Sequence, residues 1–260
     1  MDIKIIFLDL DLTLLHTDGT LSEKNIQTLE KCRSNGIMTA FCTSRGTTRI
    51  EKYTKLFMPD FLICNAGACI YHGEKLIHSE TFSLKETKIL LNSIYEICGD
   101  EAEITVDTID DFFWNRTENK TTQYMPEAKY NDCKNFTQPA MKICVATNDL
   151  QKARKISDSV SNCSAVLFSD IPWTKFSPKS SSKENAVNFL SEYLNIPLKN
   201  MAAFGDDYAD IGMLKICGTG VAMQNAIPEV KEIADEITLS CDEDGVSTWI
   251  EKNLFIRHNK

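Results

Sequence analysis

Short apolar runs, rich in β-branched and aromatic residues, recur along this chain and are separated by amphipathic stretches. The first three runs predict buried strands at 3–8, 37–42 and 61–64. The stretches between them predict helices at 22–35 and 50–57. Ser22 is suited to cap the first of these helices, and Gly36 to end it. The order strand, helix, strand, helix, strand is typical of a parallel sheet flanked by helices.

The pattern changes after a short hairpin that is predicted at 70–77. The segments that follow are predicted as a helix at 84–98, an alternating strand-like stretch at 103–114, a polar loop at 115–135, a strand at 141–146, a helix at 150–160 and a strand at 165–169. The earlier pattern then returns, with helices opening at Lys183 and Pro228 and strands at 201–204, 220–223 and 236–239. The sequence therefore predicts an α/β fold, in which a Rossmann-like parallel-sheet core (1–81 and 179–260) carries an inserted α+β cap domain (82–178).

The composition is that of an ordinary soluble globular protein, with 43% hydrophobic and 25% charged residues in 260. The formal net charge is −9 and there is no basic block, so nucleic acid and anionic membranes are not expected as partners. Asp9 and Asp11 interrupt the first apolar run, which therefore does not resemble a signal peptide, and no run approaches the ~20 apolar residues of a membrane span. The ten cysteines include no Cys-x-x-Cys pair. We expect reduced, packed thiols in a cytoplasmic protein.

Polar side chains follow the predicted core strands at their carboxyl ends. They are Asp9, Asp11, Thr43, Asp206, Asp210 and Asn225. Lys183 opens the first helix after the inserted domain. Ligands of a parallel sheet bind beyond the carboxyl ends of its strands, so these side chains are expected to meet at one site. Acids close enough to share a hard cation, with a lysine, a hydroxyl and an amide, suit Mg²⁺ together with a phosphoryl group.

Each of these residues could also have a purely structural role. An Asp-rich turn, a pair of surface acids, a helix N-cap at Thr43, a solvated Lys183 and a turn residue at Asn225 are ordinary features of proteins. Their combination in this order favours a functional site. The sequence contains no P-loop and no dinucleotide-binding glycine motif.

The motifs resemble, as a set, those of the haloacid dehalogenase superfamily of phosphatases, and within it the Cof-type group, which has a large α/β cap after the third core strand. Residues 7–15, FLDLDLTLL, resemble the family's Asp-x-Asp-x-Thr motif, and FCTSRG resembles the strand that ends in Thr or Ser. Further matches are the Asn-Gly-Ala element at 65–68, the lysine motif at Lys183, the acidic motif AAFGDDYADIGML and the tail signatures GVAMQNA and DEDGV. The resemblance covers both core segments, while the cap is thinly matched.

This resemblance implies a Mg²⁺-dependent phosphatase that hydrolyses a small phosphomonoester through an aspartyl-phosphate. Asp9 would be the nucleophile, and Asp11 would be the general acid and base. The residues expected to contact the phosphoryl group are Thr43, Ser44, Lys183 and Asn225. The residues expected to surround Mg²⁺ are Asp9, Asp11 through its backbone carbonyl, Asp206 and Asp210.

The chain departs from the family's pattern at three positions beside the expected site. Leu12 replaces the usual glycine after the second acid. Ala209 replaces an asparagine of the acidic motif, whose amide could steady a ligand of the metal. Ala66 replaces an asparagine in the element before the cap.

Substrate choice is expected to depend mainly on the cap. The candidate specificity residues are Arg45, Trp114, Arg116, Trp173 and Lys175, with the loop 119–135 as an alternative. The expected partner is a small phosphorylated metabolite, such as a sugar phosphate or a phosphorylated cofactor, bound by a monomer or homodimer. A phosphosugar mutase and a catalytically weak phospholigand-binding protein remain open alternatives, whereas a signalling receiver domain has no use for so large an insertion.

Overall fold

The computed structural model describes residues 2–116, 128–168 and 171–256. The chain divides into two compact units. The first consists of Met1–Arg45, Ile50–His78 and Ser182–Lys260, and the second of Gly46–Arg49 and Ser79–Ser181. The insertion predicted at 82–178 has bounds a few residues inside those of the second unit, and it does not include the short segment Gly46–Arg49.

The described part of the chain contains both strands and α-helices. The strands there are β1 (Ile5–Leu8), β2 (Met38–Cys42), β3 (Phe61–Cys64), β4 (Cys69–His72), β5 (Lys75–Ser79), β6 (Ile104–Asp107), β7 (Phe112–Trp114), β8 (Lys129–Tyr130), β9 (Lys142–Val145), β10 (Cys163–Leu167), β11 (Thr174–Pro178), β12 (Met201–Gly205), β13 (Thr219–Ala222) and β14 (Glu236–Ile237). The helices there are α1 (Glu23–Ser34), α2 (Glu51–Thr54), α3 (Leu84–Cys98), α4 (Leu150–Ser157), α5 (Lys183–Leu194), α6 (Ile211–Ile216), α7 (Pro228–Ile233) and α8 (Gly245–Ile250).

The first unit is built on a sheet with the strand order β14-β13-β12-β1-β2-β3-β4-β5. The strands from β14 to β3 run parallel, and β4 pairs antiparallel with β3. Every residue of β1 is buried, and β1 pairs with β12 on one side and with β2 on the other. From β1 the chain proceeds towards β3 and later returns on the opposite side at β12. This reversal of strand order is where open parallel sheets bind their ligands.

Two predicted elements differ clearly from the structure, and one strand was not predicted. The helix predicted at 50–57 is shortened to the four residues of α2, although one further helical hydrogen bond follows it, from the Phe57 N–H to the Tyr53 carbonyl (3.0 Å). The stretch 103–114 is not one strand but an antiparallel hairpin of β6 and β7, closed by a hydrogen bond from the Thr108 N–H to the Asp111 carbonyl (2.8 Å). Thr174–Pro178, for which the sequence predicted no element, form the strand β11. Of the predicted loop 115–135, residues 117–127 lie outside the described part of the chain.

The second unit is built on a sheet with the strand order β10-β11-β9-β6-β7-β8, antiparallel except for the parallel pair β7 and β8. One face of this sheet contributes Val106, Ile143 and Phe176 to a hydrophobic core that includes residues of α3 and α4. Helix α3 begins with a capping box, in which Ser83 Oγ accepts from the Glu86 N–H (3.2 Å) and the Glu86 carboxylate accepts from the Ser83 N–H (2.8 Å). The unit therefore has a core of its own.

The ten cysteines, all within the described residues, form no disulfide with one another, and nine of them are buried. Among the described helices, none combines the length and the apolar character needed to cross a bilayer.

Candidate active site

The carboxyl ends of the central strands lie side by side, because Leu8 of β1 is level with Phe204 of β12. Asp9 follows β1 directly, and its N–H donates to the Phe204 carbonyl (3.2 Å). Asp206 follows β12, and Thr43 follows β2. The sheet therefore delivers two acids and a hydroxyl to one edge.

Three buried carboxylates and one buried lysine meet at this edge. Oxygen atoms of Asp9, Asp206 and Asp210 all lie within 4.8 Å of one another. Lys183 Nζ donates to Asp210 Oδ1 at 2.6 Å and also to Asp9 Oδ1. Thr13 Oγ1 donates to Asp206 Oδ1 (2.8 Å). The Lys183 side chain is only 2% exposed, so its charge acts inside the cluster rather than in solvent.

Asp210 organises the loop that carries Asp206. Its Oδ2 accepts hydrogen bonds from the N–H groups of Asp206 (3.0 Å) and Asp207 (3.1 Å), while its Oδ1 accepts from Lys183. Gly205 leaves the space for this arrangement, because a Cβ at that position would lie 2.3 Å from the Cβ of Asp210. Both oxygens of Asp210 are thus engaged by donors of the protein itself.

The cluster holds more negative than positive charge away from solvent. Burial raises the pKa of Asp9 well above its usual range; the charge of Lys183 opposes this, and the charges of Asp210 and Asp206 add to it. Burial and the Asp210 charge raise the pKa of Asp206 to about 7, against the hydrogen bond from Thr13. Burial lowers the pKa of Lys183, but the charges of Asp210 and Asp9 outweigh it and raise that pKa well above its ordinary value. The lysine is therefore protonated.

The donor set of this cluster fits a divalent cation. When all three carboxylates are ionised, the Lys183 ammonium leaves the cluster with a net charge of −2. The pKa values of Asp9 and Asp206 are raised first by burial and in part because neighbouring carboxylates repel further negative charge. Carboxylate oxygens are the ligands that hard divalent cations prefer. Asp9 and Asp206 are the better placed ligands, since Asp210 already binds Lys183 and two backbone N–H groups.

The segment after β2 presents a hydroxyl and a guanidinium. Thr43 is buried, and its Oγ1 accepts from the Arg45 N–H (3.1 Å), so the hydroxyl can still donate its own hydrogen. Ser44 is half-buried between them. The Arg45 side chain pairs with Asp11: Nε donates to Oδ2 at 2.9 Å, and Nη2 donates to Oδ1. Arg45, a candidate for substrate specificity in the sequence, is placed on the carboxylate of Asp11.

The loop Asn65–Gly67 joins this segment to the start of α5. The N–H groups of its first two residues donate to the carbonyls of Arg45 (2.8 Å) and Thr43 (2.9 Å). All three loop residues have positive φ, and a Cβ at Gly67 would lie 2.2 Å from the backbone oxygen of Ser182. The loop is therefore packed tightly against the N-cap of the helix that begins with the site lysine.

Asn225 lies beside the site, and both polar ends of its side chain bind backbone. Nδ2 donates to the Leu12 carbonyl (2.7 Å), and Oδ1 accepts from the Cys241 N–H (2.9 Å). These bonds tie the turn after β1 to the loop after β14. The contact between Asn225 and a phosphoryl group stays a prediction.

The cap residues singled out in the sequence fall into two groups. Trp114 and Lys175 are buried and belong to one row of cross-strand neighbours, on the sheet face opposite the hydrophobic core. Arg116 instead donates to the carbonyl of Glu101 (2.5 Å), and Trp173 is half-buried just before β11. Neither Arg116 nor Trp173 belongs to this row of cross-strand neighbours.

Sequence reasoning missed a charged group on the same sheet face. Lys142 of β9 and Asp107 of β6 are cross-strand partners, both buried, with 3.1 Å between Nζ and Oδ2. The Arg49 guanidinium lies over the Phe112 ring (4.5 Å), and its Nη2 is 3.4 Å from Asp107 Oδ1. The available signal was a lysine inside the predicted strand 141–146, because a buried lysine requires a partner.

The fold and the site define the class of this protein: an α/β protein with buried acids and a lysine at the carboxyl edge of a parallel sheet. Comparison with known proteins identifies the family. The model of the haloacid dehalogenase-like hydrolase family matches residues 6–250. The chain belongs to this family. Phosphatase YwpJ from Bacillus subtilis (strain 168) is 28% identical over an alignment of 292 positions, which covers 96% of this chain and 100% of that protein. The B. subtilis 5-amino-6-(5-phospho-D-ribitylamino)uracil phosphatase YitU is 26% identical, with 95% and 96% covered.

Solved structures share the fold. A haloacid dehalogenase-like hydrolase from B. subtilis has a TM-score of 0.82 at 24% identity, covering 97% of this chain and 100% of that one. Another from Bacteroides thetaiotaomicron has a TM-score of 0.82 at 24% identity, covering 96% and 99%. The resemblance inferred from the motifs and the predicted α/β fold class are confirmed, and the chain is a hydrolase by family.

Proposed function

We propose that this chain is a Mg²⁺-dependent phosphatase that hydrolyses a small phosphomonoester through an aspartyl-phosphate on Asp9. The buried cluster in which Asp9 meets Lys183, beside Asp206 and Thr43, carries this proposal. Covalent phosphoryl transfer needs a carboxylate nucleophile together with fixed donors and positive charge for the phosphoryl oxygens. The relatives YwpJ and YitU are named phosphatases, which supports the same reaction class.

The proposed roles follow from the position of each side chain. Asp9 attacks phosphorus while the bond to the leaving oxygen breaks, and Asp11 protonates that oxygen. In a second step Asp11 accepts the proton of the water that hydrolyses the aspartyl-phosphate. Lys183, Thr43 and Ser44 donate to the phosphoryl oxygens.

Asp9, Asp206 and the backbone carbonyl of Asp11 are the proposed Mg²⁺ ligands. When bound, Mg²⁺ would supply the positive charge that the cluster lacks and would polarise the phosphoryl group. Asp210 acts through its bonds to Lys183 and to the loop of Asp206. Asn225 holds the turn after β1, and this role is better supported by its contacts than a bond to phosphate.

The proposed substrate is a small phosphorylated metabolite, such as a sugar phosphate or a phosphorylated cofactor. YitU is named for a phosphorylated ribitylaminouracil, and a relative from Enterobacter sp. (strain 638) is named HMP-PP phosphatase. We propose that the second unit acts as the cap that selects the substrate. Trp114, Lys175 and Lys142, which share one sheet face, are better candidates for this selection than Arg116 and Trp173.

The test is phosphate release from p-nitrophenyl phosphate by the purified chain. Activity should require added Mg²⁺ and disappear with a chelator. Asp9→Asn should abolish turnover without unfolding the protein, because the amide is nearly isosteric but a poor nucleophile. Asp158→Asn, at an exposed acid in the second unit, is the matched control and should keep wild-type activity.

Two results would contradict the proposal: undiminished activity in excess chelator, or full turnover by Asp9→Asn. Bound Mg²⁺ with no turnover on a broad panel of phosphoesters would favour the phospholigand-binding protein. Transfer of a phosphoryl group from a bisphosphate primer to a sugar phosphate would favour the mutase.

A further inference from the structure

We infer that Arg45 is a positioning residue that holds the Asp11 carboxylate in place to take the proton of the hydrolytic water. The inference rests on the proposed function and adds to it a residue that acts in the second chemical step. It assigns Arg45 to the reaction itself, whereas the sequence suggested a role in substrate choice.

The contact between the two side chains is a fork. Arg45 Nε donates to Asp11 Oδ2 (2.9 Å), and Nη2 donates to Oδ1. Two parallel donors fix both the plane and the rotation of a carboxylate, which a single ammonium does not. The Asp11 side chain is 50% exposed and follows a strand in an irregular turn, so without this contact its orientation would be poorly defined.

Arg45 is itself held at several points. Its backbone N–H donates to Thr43 Oγ1 (3.1 Å), and its carbonyl accepts from the Asn65 N–H (2.8 Å). Its guanidinium lies 5.6 Å from the centre of the Tyr53 ring. Tyr53 is buried, and its hydroxyl donates to the Gly19 carbonyl (3.0 Å). Much of the rotamer freedom of a long arginine side chain is thus removed before any substrate binds.

The charges around Asp11 explain why such a contact is needed. The Asp11 charge contributes to the raised pKa of Asp9, so the two carboxylates repel one another. The pKa of Arg45 is raised, first by its hydrogen bond to Asp11, against burial, and further by the charge of Asp9. Arg45 therefore places a positive charge against the Asp11 carboxylate, which reduces this repulsion.

The orientation of the Asp11 carboxylate matters in the second step, the hydrolysis of the aspartyl-phosphate. Water attacks the phosphorus of the aspartyl-phosphate, the bond from phosphorus to the Asp9 oxygen breaks, and its electron pair returns to the Asp9 carboxylate. The proton of the water passes to Asp11, and inorganic phosphate leaves. A carboxylate has lone pairs to spare on both oxygens while it accepts from a guanidinium, so Asp11 can receive this proton in the arrangement that Arg45 imposes.

The first step depends less on Arg45 when the leaving group is p-nitrophenolate, which needs no proton to depart. Rapid mixing of Arg45→Gln with p-nitrophenyl phosphate and Mg²⁺ should therefore give a burst of about one nitrophenolate per active site. The steady-state rate that follows should be about 10²-fold below that of the wild type, because a misplaced group costs about this factor. Acid quenching should trap phosphate on Asp9 in the variant.

Arg33→Gln is the matched control. Arg33 also pairs with a carboxylate, that of Glu30 (3.1 Å), and also lies over an aromatic ring, that of Phe57 (4.5 Å). It belongs to α1 and has no contact with the acid cluster among the described residues. This variant should keep the wild-type burst and the wild-type steady-state rate.

Arg45→Lys keeps the positive charge but cannot make two parallel hydrogen bonds to the Asp11 carboxylate. This variant tests the inference if Arg45→Gln does not fold. It should also show a burst, with a smaller loss of steady-state rate. A folded Arg45→Lys protein that releases nitrophenolate slowly from the first turnover, with no trapped phosphate, would overturn the inference. A wild-type protein that releases no nitrophenolate at all would overturn the proposed function instead, so the two failures are distinguishable.

Discussion

Leu12 has a backbone conformation that leucine seldom adopts. Its φ of 57° and ψ of 14° lie in the left-handed region, and its side chain is exposed. This conformation costs a residue other than glycine about 1–2 kcal/mol. The hydrogen bond from Asn225 to the Leu12 carbonyl is one of the contacts that maintain it. The glycine that the family usually has at this position would avoid the strain.

Replacing Leu12 by asparagine should raise the free energy of unfolding by about 0.5–1 kcal/mol, since asparagine tolerates the left-handed region better than leucine. Urea unfolding followed by circular dichroism measures the change. Leu56→Asn is the control, because Leu56 is similarly exposed but has no positive φ. Equal effects at the two positions would show that Leu12 stores no strain.

The position of Asp9, Thr43 and Asp206 at one edge of the sheet could be predicted from the sequence, because each follows an apolar run and such runs form the strands of a parallel sheet. The pairing of Arg45 with Asp11 could not be predicted in this way. It depends on the rotamer of a long side chain across a gap of 34 residues, and apolar periodicity contains no information about it.

At the scale of elements, the loop Asn65–Gly67 is a tight junction of the core. It binds the end of β2 through two backbone hydrogen bonds, and it leaves no room for a Cβ at Gly67 beside the N-cap of α5. Since α5 carries Lys183 at its first position, the spacing of this loop helps to place the lysine among the acids.

Gly67→Ala should lower the free energy of unfolding by about 2–4 kcal/mol, because the new methyl group meets a backbone oxygen and the φ of 102° is unfavourable for alanine. Gly36→Ala is the matched control. Gly36 also has a positive φ of 74°, but a Cβ there would have no neighbour within 4 Å, so about 1–2 kcal/mol of backbone strain is expected. Thermal or urea unfolding of both variants measures the difference, and equal losses would refute the steric argument.

Element types were predictable where the periodicity was long or the strand was fully buried, as for α3 and β3, whose bounds in the structure are those predicted. The hairpin of β6 and β7 was not, because Thr108 and Asp111 form a turn without glycine or proline and the alternation of side chains continues through it. The ion pair of Lys142 with Asp107 depends on strand register, which a single sequence does not specify.

At the scale of the whole molecule, the acid cluster links stability to pH. The pKa of Asp206 is about 7 in the folded protein, against 3.8 as its ordinary value. Between these values the folded state binds more protons than the unfolded state, so the free energy of unfolding contributed by this group falls as the pH rises. The metal-free protein therefore loses this contribution as the pH rises from 3.8 through about 7, and no further loss from this group is expected above that range.

Mg²⁺ should raise the melting temperature more near pH 8 than near pH 5, because a bound cation replaces the protons that the cluster takes up at low pH. Thermal unfolding with Mg²⁺ and with a chelator at both pH values measures this difference. In Asp206→Asn the difference should shrink, since the amide neither titrates nor binds the cation strongly. An equal Mg²⁺ effect at both pH values in the wild type would contradict the linkage.

In the first unit, residues that meet in the fold lie before and after the inserted second unit in the sequence, and this separation has a consequence for biosynthesis. Asp9 and Lys183 are separated by 174 residues. One edge of β1 can form its backbone hydrogen bonds only after β12 (Met201–Gly205) has been synthesised. Ribosomes add about 5–20 residues per second, so this edge stays unpaired for roughly 10–40 seconds of translation. Throughout that time a nascent chain exposes an apolar strand edge but cannot assemble the acid cluster. Truncated chains that end before β12 should therefore be inactive and prone to aggregate, and dependence on chaperones during synthesis is the expected result.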